Sequence, residues 1–84
     1  MSEKRQPLSL EEIEDDVVEV IREATGRTVK DREANLFSLG FDSLSLLEVL
    51  ALLEKRFDIE LTEDVAEAFH SVGNISRIVQ SACS

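Results

Sequence analysis

Few side chains in this sequence are able to form or break bonds: one histidine (His70), one cysteine (Cys83) and several serines, set among 18 carboxylates and nine Lys or Arg. Ser43 has the most pointed setting, because it follows Asp42 where a long apolar segment begins. A catalytic serine needs a base placed to take its proton, and His70 falls in a predicted loop after the third helix. On residue types alone, Ser43 therefore reads as an N-cap or first-turn serine. Cys83 cannot close an internal disulfide, no Cys and His cluster offers metal ligands, and the residue reads as a terminal surface or packing side chain. The acids at 58–60 and at Glu63 and Asp64 lack the alternating ligands and central glycine of a calcium loop, so they read as solvated charge and helix caps.

The chain that must position these groups is short and acidic. Its 84 residues fit one domain spanning 1–84, since a second core would leave too little surface to bury. A hydrophobic fraction of 43% supports a core, whereas 32% charged residues and a net charge of −9 make the surface ionic. That field repels nucleic acid phosphates and anionic lipid, and it favours partners presenting Lys or Arg. The start is polar, without the apolar region of a signal peptide, and no apolar run approaches the length of a bilayer span. With a lone cysteine, this gives an expectation of a cytoplasmic monomer with polar ends fraying at about 1–7 and 83–84, and the leading Met1 and absence of linker composition favour a free-standing protein over a domain excised from a larger synthase.

Four helices are predicted and no strand pattern competes with them. Ser9-Leu10-Glu11-Glu12 is a capping box that opens the first helix, with Leu8 and Ile13 as a staple. Leu10, Ile13, Val17, Val20 or Ile21, and Ala24 form its inner stripe, and Gly26 stops it. Residues 27–40 show no period, but Val29, Leu36, Phe37 and Leu39 are apolar enough to pack as a long ordered loop. Asp42 or Ser43 caps a second helix to about Phe57. Thr62 caps a short third helix through Phe69, with Glu63 and Asp64 in its first turn and Val65, Ala66 and Phe69 inward. Ser71 caps a last helix carrying Val72, Ile75, Ile78 or Val79, and Ala82 inward, and Gly73 weakens its first turn. The fold class is all-α, a four-helix bundle of three longer helices and one short one, with the long loop between helices 1 and 2.

At about 100° per residue, the second helix places Leu46, Val49, Leu50, Leu53 and Phe57 on one core-facing stripe. Leu44, Leu47, Ala51 and Leu52 fall outside that stripe, near Glu48 and Glu54. Leu47 and Ala51 suit either burial on a second side or a docking face in which carboxylates steer and apolar contacts hold. Leu44, opposite the stripe, is the best single docking candidate.

The run Leu39-Gly40-Phe41-Asp42-Ser43-Leu44, placed at the start of an apolar helix, resembles the phosphopantetheine attachment motif of the acyl carrier protein family. The resemblance extends through the preceding amphipathic helix, the loop bearing Leu36 and Phe37, the run from Leu52 to Leu61, and two short helices in family order. It implies that a phosphopantetheinyl transferase uses coenzyme A to attach 4'-phosphopantetheine to Ser43, that Asp42 caps the helix and takes part in transferase recognition, and that the chain is a substrate and not an enzyme. It further implies partner-recognition positions at Leu44, Leu47, Glu48, Ala51 and Glu54, with acidic third-helix counterparts at Glu63, Asp64 and Glu67. The partners so implied are the transferase, an acyl-loading enzyme, and a ketosynthase or other acyl-transferring enzyme with a basic docking surface.

Carriers of amino acids often show Gly-Gly-His or Gly-Gly-Asp before the serine, whereas Leu39-Gly40-Phe41-Asp42 leans towards a polyketide or fatty-acid type. Lys55 and Arg56 stand where the family frequently has acids, which favours a specialised pathway. The alternatives are an aminoacyl, peptidyl or D-alanyl carrier and, in another class, an unmodified acidic helical adaptor that uses Ser43 only to start its helix.

Overall fold

In a computed structural model describing residues 9–83, the chain order is α1 (Leu10–Thr25), a 3-10 turn (Phe37–Leu39), α2 (Ser43–Phe57), α3 (Glu63–Glu67) and α4 (Val72–Cys83). The expected fraying ends lie outside the described residues apart from Cys83, which closes α4, and so does the Leu8 half of the staple.

Both halves of the α1 capping box form. Glu12 N–H donates to Ser9 Oγ at 3.2 Å, and Ser9 N–H donates to Glu12 Oε1 at 3.0 Å, so two otherwise orphaned donors are satisfied. Gly26 ends the helix at φ 78°, a left-handed geometry that glycine adopts without strain, and returns its N–H to Arg22 O. Ile13, Val17, Val20 and Ile21 are buried from this helix, which packs on α2 and α4. Leu46, Val49, Leu50 and Leu53 meet them from α2, while Phe57 is half-buried at the edge of the same cluster. Burying one such side chain contributes roughly 1.5–3 kcal/mol, more than any surface ion pair, so this stripe decides the fold.

Asp58 follows α2 at φ 55°, a left-handed position that Asp tolerates better than bulkier residues. Its N–H and that of Ile59 both return to Glu54 O, and Leu61 N–H donates to Glu54 Oε2 at 2.7 Å. The turn into α3 is therefore built on Glu54.

Three expectations need correction. α3 stops at Glu67, because Ala68 and Phe69 donate to carbonyls three residues back and the tightened turn drives Phe69 into the core. Thr62 occupies the α3 N-cap position, but its side chain makes no cap hydrogen bond. Ala82 is exposed, because the inner stripe of α4 ends with Val79. At the start of α4, Ser71 does cap as expected, its Oγ accepting from Asn74 N–H at 3.1 Å.

Gly73 has a role that helix propensity conceals. It is buried and donates its N–H to Arg32 O at 2.9 Å, and a Cβ there would fall 2.7 Å from Glu33 Oε2. Glu33 is exposed and its carboxylate can move aside, and the backbone neighbour Arg32 O would lie at an ordinary 3.5 Å, so the tie between α4 and the loop after α1 is the Gly73 N–H hydrogen bond. From the other side, Arg32 ties that loop to Glu14 and Asp15 of α1.

Candidate functional site

The α2 cap settles which of two adjacent residues does which job. Asp42 takes extended backbone angles, and its Oδ1 accepts from Ser45 N–H at 2.9 Å, which makes it the N-cap. This hydrogen bond holds the Asp42 carboxyl below its ordinary pKa, since it favours the charged form. Ser43 is then the first helical residue, exposed and relieved of capping. Its hydroxyl stands at the positive end of a 15-residue helix, where unpaired N–H groups favour a phosphate. A phosphate ester on Ser43 fits that setting.

No hydrogen bond joins His70 to Ser43 among the described residues. His70 is engaged through its backbone, donating to Asn74 Oδ1 at 2.7 Å and accepting from Leu36 N–H at 2.7 Å. Among the described residues no group of three or more His, Cys, Asp or Glu could hold a metal ion, and no helix is long and apolar enough to cross a membrane.

Of the predicted docking residues on α2, Leu44 is 67% exposed, and Glu48 and Ala51 are exposed beyond it. Leu47 and Leu52 are half-buried against the core, so burial on a second side applies in part to Leu47 and not to Ala51. Glu54 is half-buried and occupied by the Leu61 N–H. Glu63, Asp64 and Glu67 are exposed on α3, which lies against α2.

The loop before Ser43 departs from expectation. Val29 and Leu36 are buried as predicted, but Phe37 is 46% and Leu39 38% exposed, because Leu36 and Phe41 take the available core space. Phe37 and Leu39 thus join Leu44 as the large exposed apolar side chains of the described residues. The loop is closed by Phe41 N–H to Leu36 O at 3.1 Å and by Asn35 Oδ1, which accepts from Phe37 N–H at 2.8 Å. Arg27, which no sequence period singles out, places its guanidinium 4.4 Å from the centroid of the Phe41 ring and donates from Nη2 to Leu39 O. Gly40 lies between these contacts at φ 98°, and a Cβ there would come 3.2 Å from Arg27 Nη1.

Comparison with known proteins agrees with this geometry. Residues 15–79 match the family model described as a phosphopantetheine attachment site. An acyl carrier protein of Sulfurovum sp. is 37% identical over 70 residues, covering 80% of this chain and 93% of the relative. An acyl carrier protein from Thermotoga maritima has a similar fold, with a TM-score of 0.77 at 20% identity over 93% of this chain and 94% of that one. The 3,5-dioxohexyl carrier from the actinorhodin polyketide synthase of Streptomyces coelicolor gives 0.74 at 24% identity, with 95% of each chain covered. The family's prosthetic group is covalently bound 4'-phosphopantetheine, and its members are carriers and not catalysts. On the family match and the Sulfurovum relative, this chain belongs to the acyl carrier protein family.

Proposed function

We propose that Ser43 is the residue that accepts the phosphopantetheine arm, and that the protein carries acyl intermediates of a polyketide or related specialised pathway in the cytoplasm, as a single-domain monomer. The observation that carries the attachment site is the division of labour at the start of α2: Asp42 caps the helix and leaves an exposed Ser43 hydroxyl free for a transferase. When bound, the arm supplies a terminal thiol that holds acyl groups as thioesters and carries them between enzymes at high effective concentration. The chain's own residues present and identify the hydroxyl. Leu44 and Ala51 offer apolar contact beside Glu48, and Glu63, Asp64 and Glu67 extend the acidic field for a basic partner surface. Leu47 contributes its half-exposed edge, and Glu54 serves the face indirectly by holding the turn into α3.

The Leu39-Gly40-Phe41-Asp42 run supports a polyketide or fatty-acid type over an aminoacyl one, and the specialised-pathway reading rests on Lys55, which is exposed. Arg56 supports it less, because its charge is directed at acids of α1. Intact-mass measurement after incubation with coenzyme A and a broad phosphopantetheinyl transferase tests the attachment site. The wild type should gain one phosphopantetheine and Ser43→Ala none. Modification of folded Ser43→Ala would move the site elsewhere, and failure to modify folded wild type would leave an unmodified adaptor.

A further inference from the structure

We propose that Arg27 is a positioning residue for the modification of Ser43, acting through Phe41; the inference rests on the carrier reading above. Phe41 and Asp42 belong to no helix, and Ser43, as the first residue of α2, has an N–H with no intrahelical acceptor. The placement of the hydroxyl therefore depends on what fixes the three residues before Asp42. One guanidinium reaches all three. It covers the Phe41 ring at 4.4 Å, takes the Leu39 carbonyl, and comes within 3.2 Å of the place a Cβ on Gly40 would occupy.

Arg27 is itself anchored, standing next to the α1 cap Gly26 and donating its N–H to Thr25 Oγ1 at 3.2 Å. Phe41 is buried and donates its N–H to Leu36 O, so a ring held on its outer face by Arg27 cannot tilt without disturbing the backbone that leads into Asp42. The end of α1 is thereby coupled to the start of α2 across 12 residues of chain. Arg27 itself is exposed, so core filling does not account for a side chain that covers Phe41 from outside. A planar fork that stacks and donates at once fixes orientation, and Lys cannot reproduce it.

Transferase kinetics on Arg27→Ala, Arg27→Lys, Phe41→Leu and the Arg27→Ala/Phe41→Leu double variant provide the test, together with amide hydrogen exchange at residues 41–45 in the unmodified protein. Small displacements of a reacting group are costly, so Arg27→Ala should lower kcat roughly 5- to 30-fold while KM stays within about twofold. Exchange at residues 41–45 should quicken while the α1 amides stay protected. Arg27→Lys should recover only part of the loss, and the double variant should be no slower than the slower single variant. Where Arg27→Ala fails to fold, Phe41→Leu, which keeps an apolar side chain in the core, must show the same fall in kcat. Wild-type kcat in folded Arg27→Ala, full rescue by Lys, or a loss confined to KM would each overturn the positioning role. Wild type that is never modified would instead overturn the carrier reading.

Discussion

Asp42 and Ser43 share a helix start that either could have capped, and pH separates their roles. The Asp42 carboxylate is held by Ser45 N–H, so its folded pKa lies below the unfolded value of about 3.9. A depressed folded pKa means that the cap's contribution is fully present above the unfolded value and is lost as pH falls through the lower folded value. Asp42→Asn keeps an acceptor at the N-cap and removes the titration. We expect Asp42→Asn to match wild type in urea midpoint near pH 7 and to lose less stability than wild type below about pH 4. Parallel acid profiles for the two proteins would show that the cap does not titrate as described. At this scale the sequence was most informative where chemistry is local. The choice of Asp42 as cap comes from the fold and the attachment role of Ser43 from the family resemblance, whereas a cap at Asp42 or Ser43 and the outward Leu44 follow from adjacency and helix phase. Phe37, Leu39 and Arg27 did not, because apolar character does not say which loop residues win the core, and no period relates Arg27 to a ring it meets across a loop.

Between elements, Arg56 is the clearest tie. From the last turn of α2 it reaches Glu19 at 2.8 Å, Asp16 at 3.4 Å and Glu23 at 3.7 Å, all on α1. These acids hold its guanidinium above its ordinary pKa, with the Glu19 hydrogen bond the leading cause. The side chain is about one-third exposed, so solvent screens the network. Arg56→Ala should therefore cost only about 0.5–1 kcal/mol in urea unfolding at low salt. The difference from wild type should shrink at 1 M NaCl, whereas a salt-independent loss would assign the effect to packing of the aliphatic stem. Helices proved legible because their signals are local: the Ser9 box, the stripe of α1 and the core face of α2 all stand where spacing puts them. The early end of α3 and the service of Gly73 were not, because both are set by what packs against them. Phe69 is turned into the core, and Arg32 and Glu33 approach α4 from a loop far away in sequence.

At the scale of the whole molecule, charge acts on stability and on partner encounter in opposite directions. Eighteen acids against nine Lys or Arg leave a net charge of −9 on a body with a radius of gyration of 12.3 Å. At 0.01 M ionic strength the screening length is about 30 Å, so every acid feels the others across the fold, whereas at 1 M it is about 3 Å and only touching pairs interact. Salt therefore relieves the self-repulsion of the compact state and also weakens the Arg32 and Arg56 pairs. Those pairs are solvent-screened and individually weak. Repulsion among the excess acids outweighs them, so the thermal midpoint should rise from 0.01 M to 1 M NaCl. Over the same range the second-order rate of transferase modification should fall at least severalfold, because steering by the acidic face is lost. Glu48→Lys should lower that rate at 0.01 M and converge on wild type at 1 M, with its thermal midpoint no lower than wild type's. A rate insensitive to salt, or a Glu48→Lys defect that persists at 1 M, would take electrostatic steering away from this surface and leave recognition to Leu44 and its apolar neighbours.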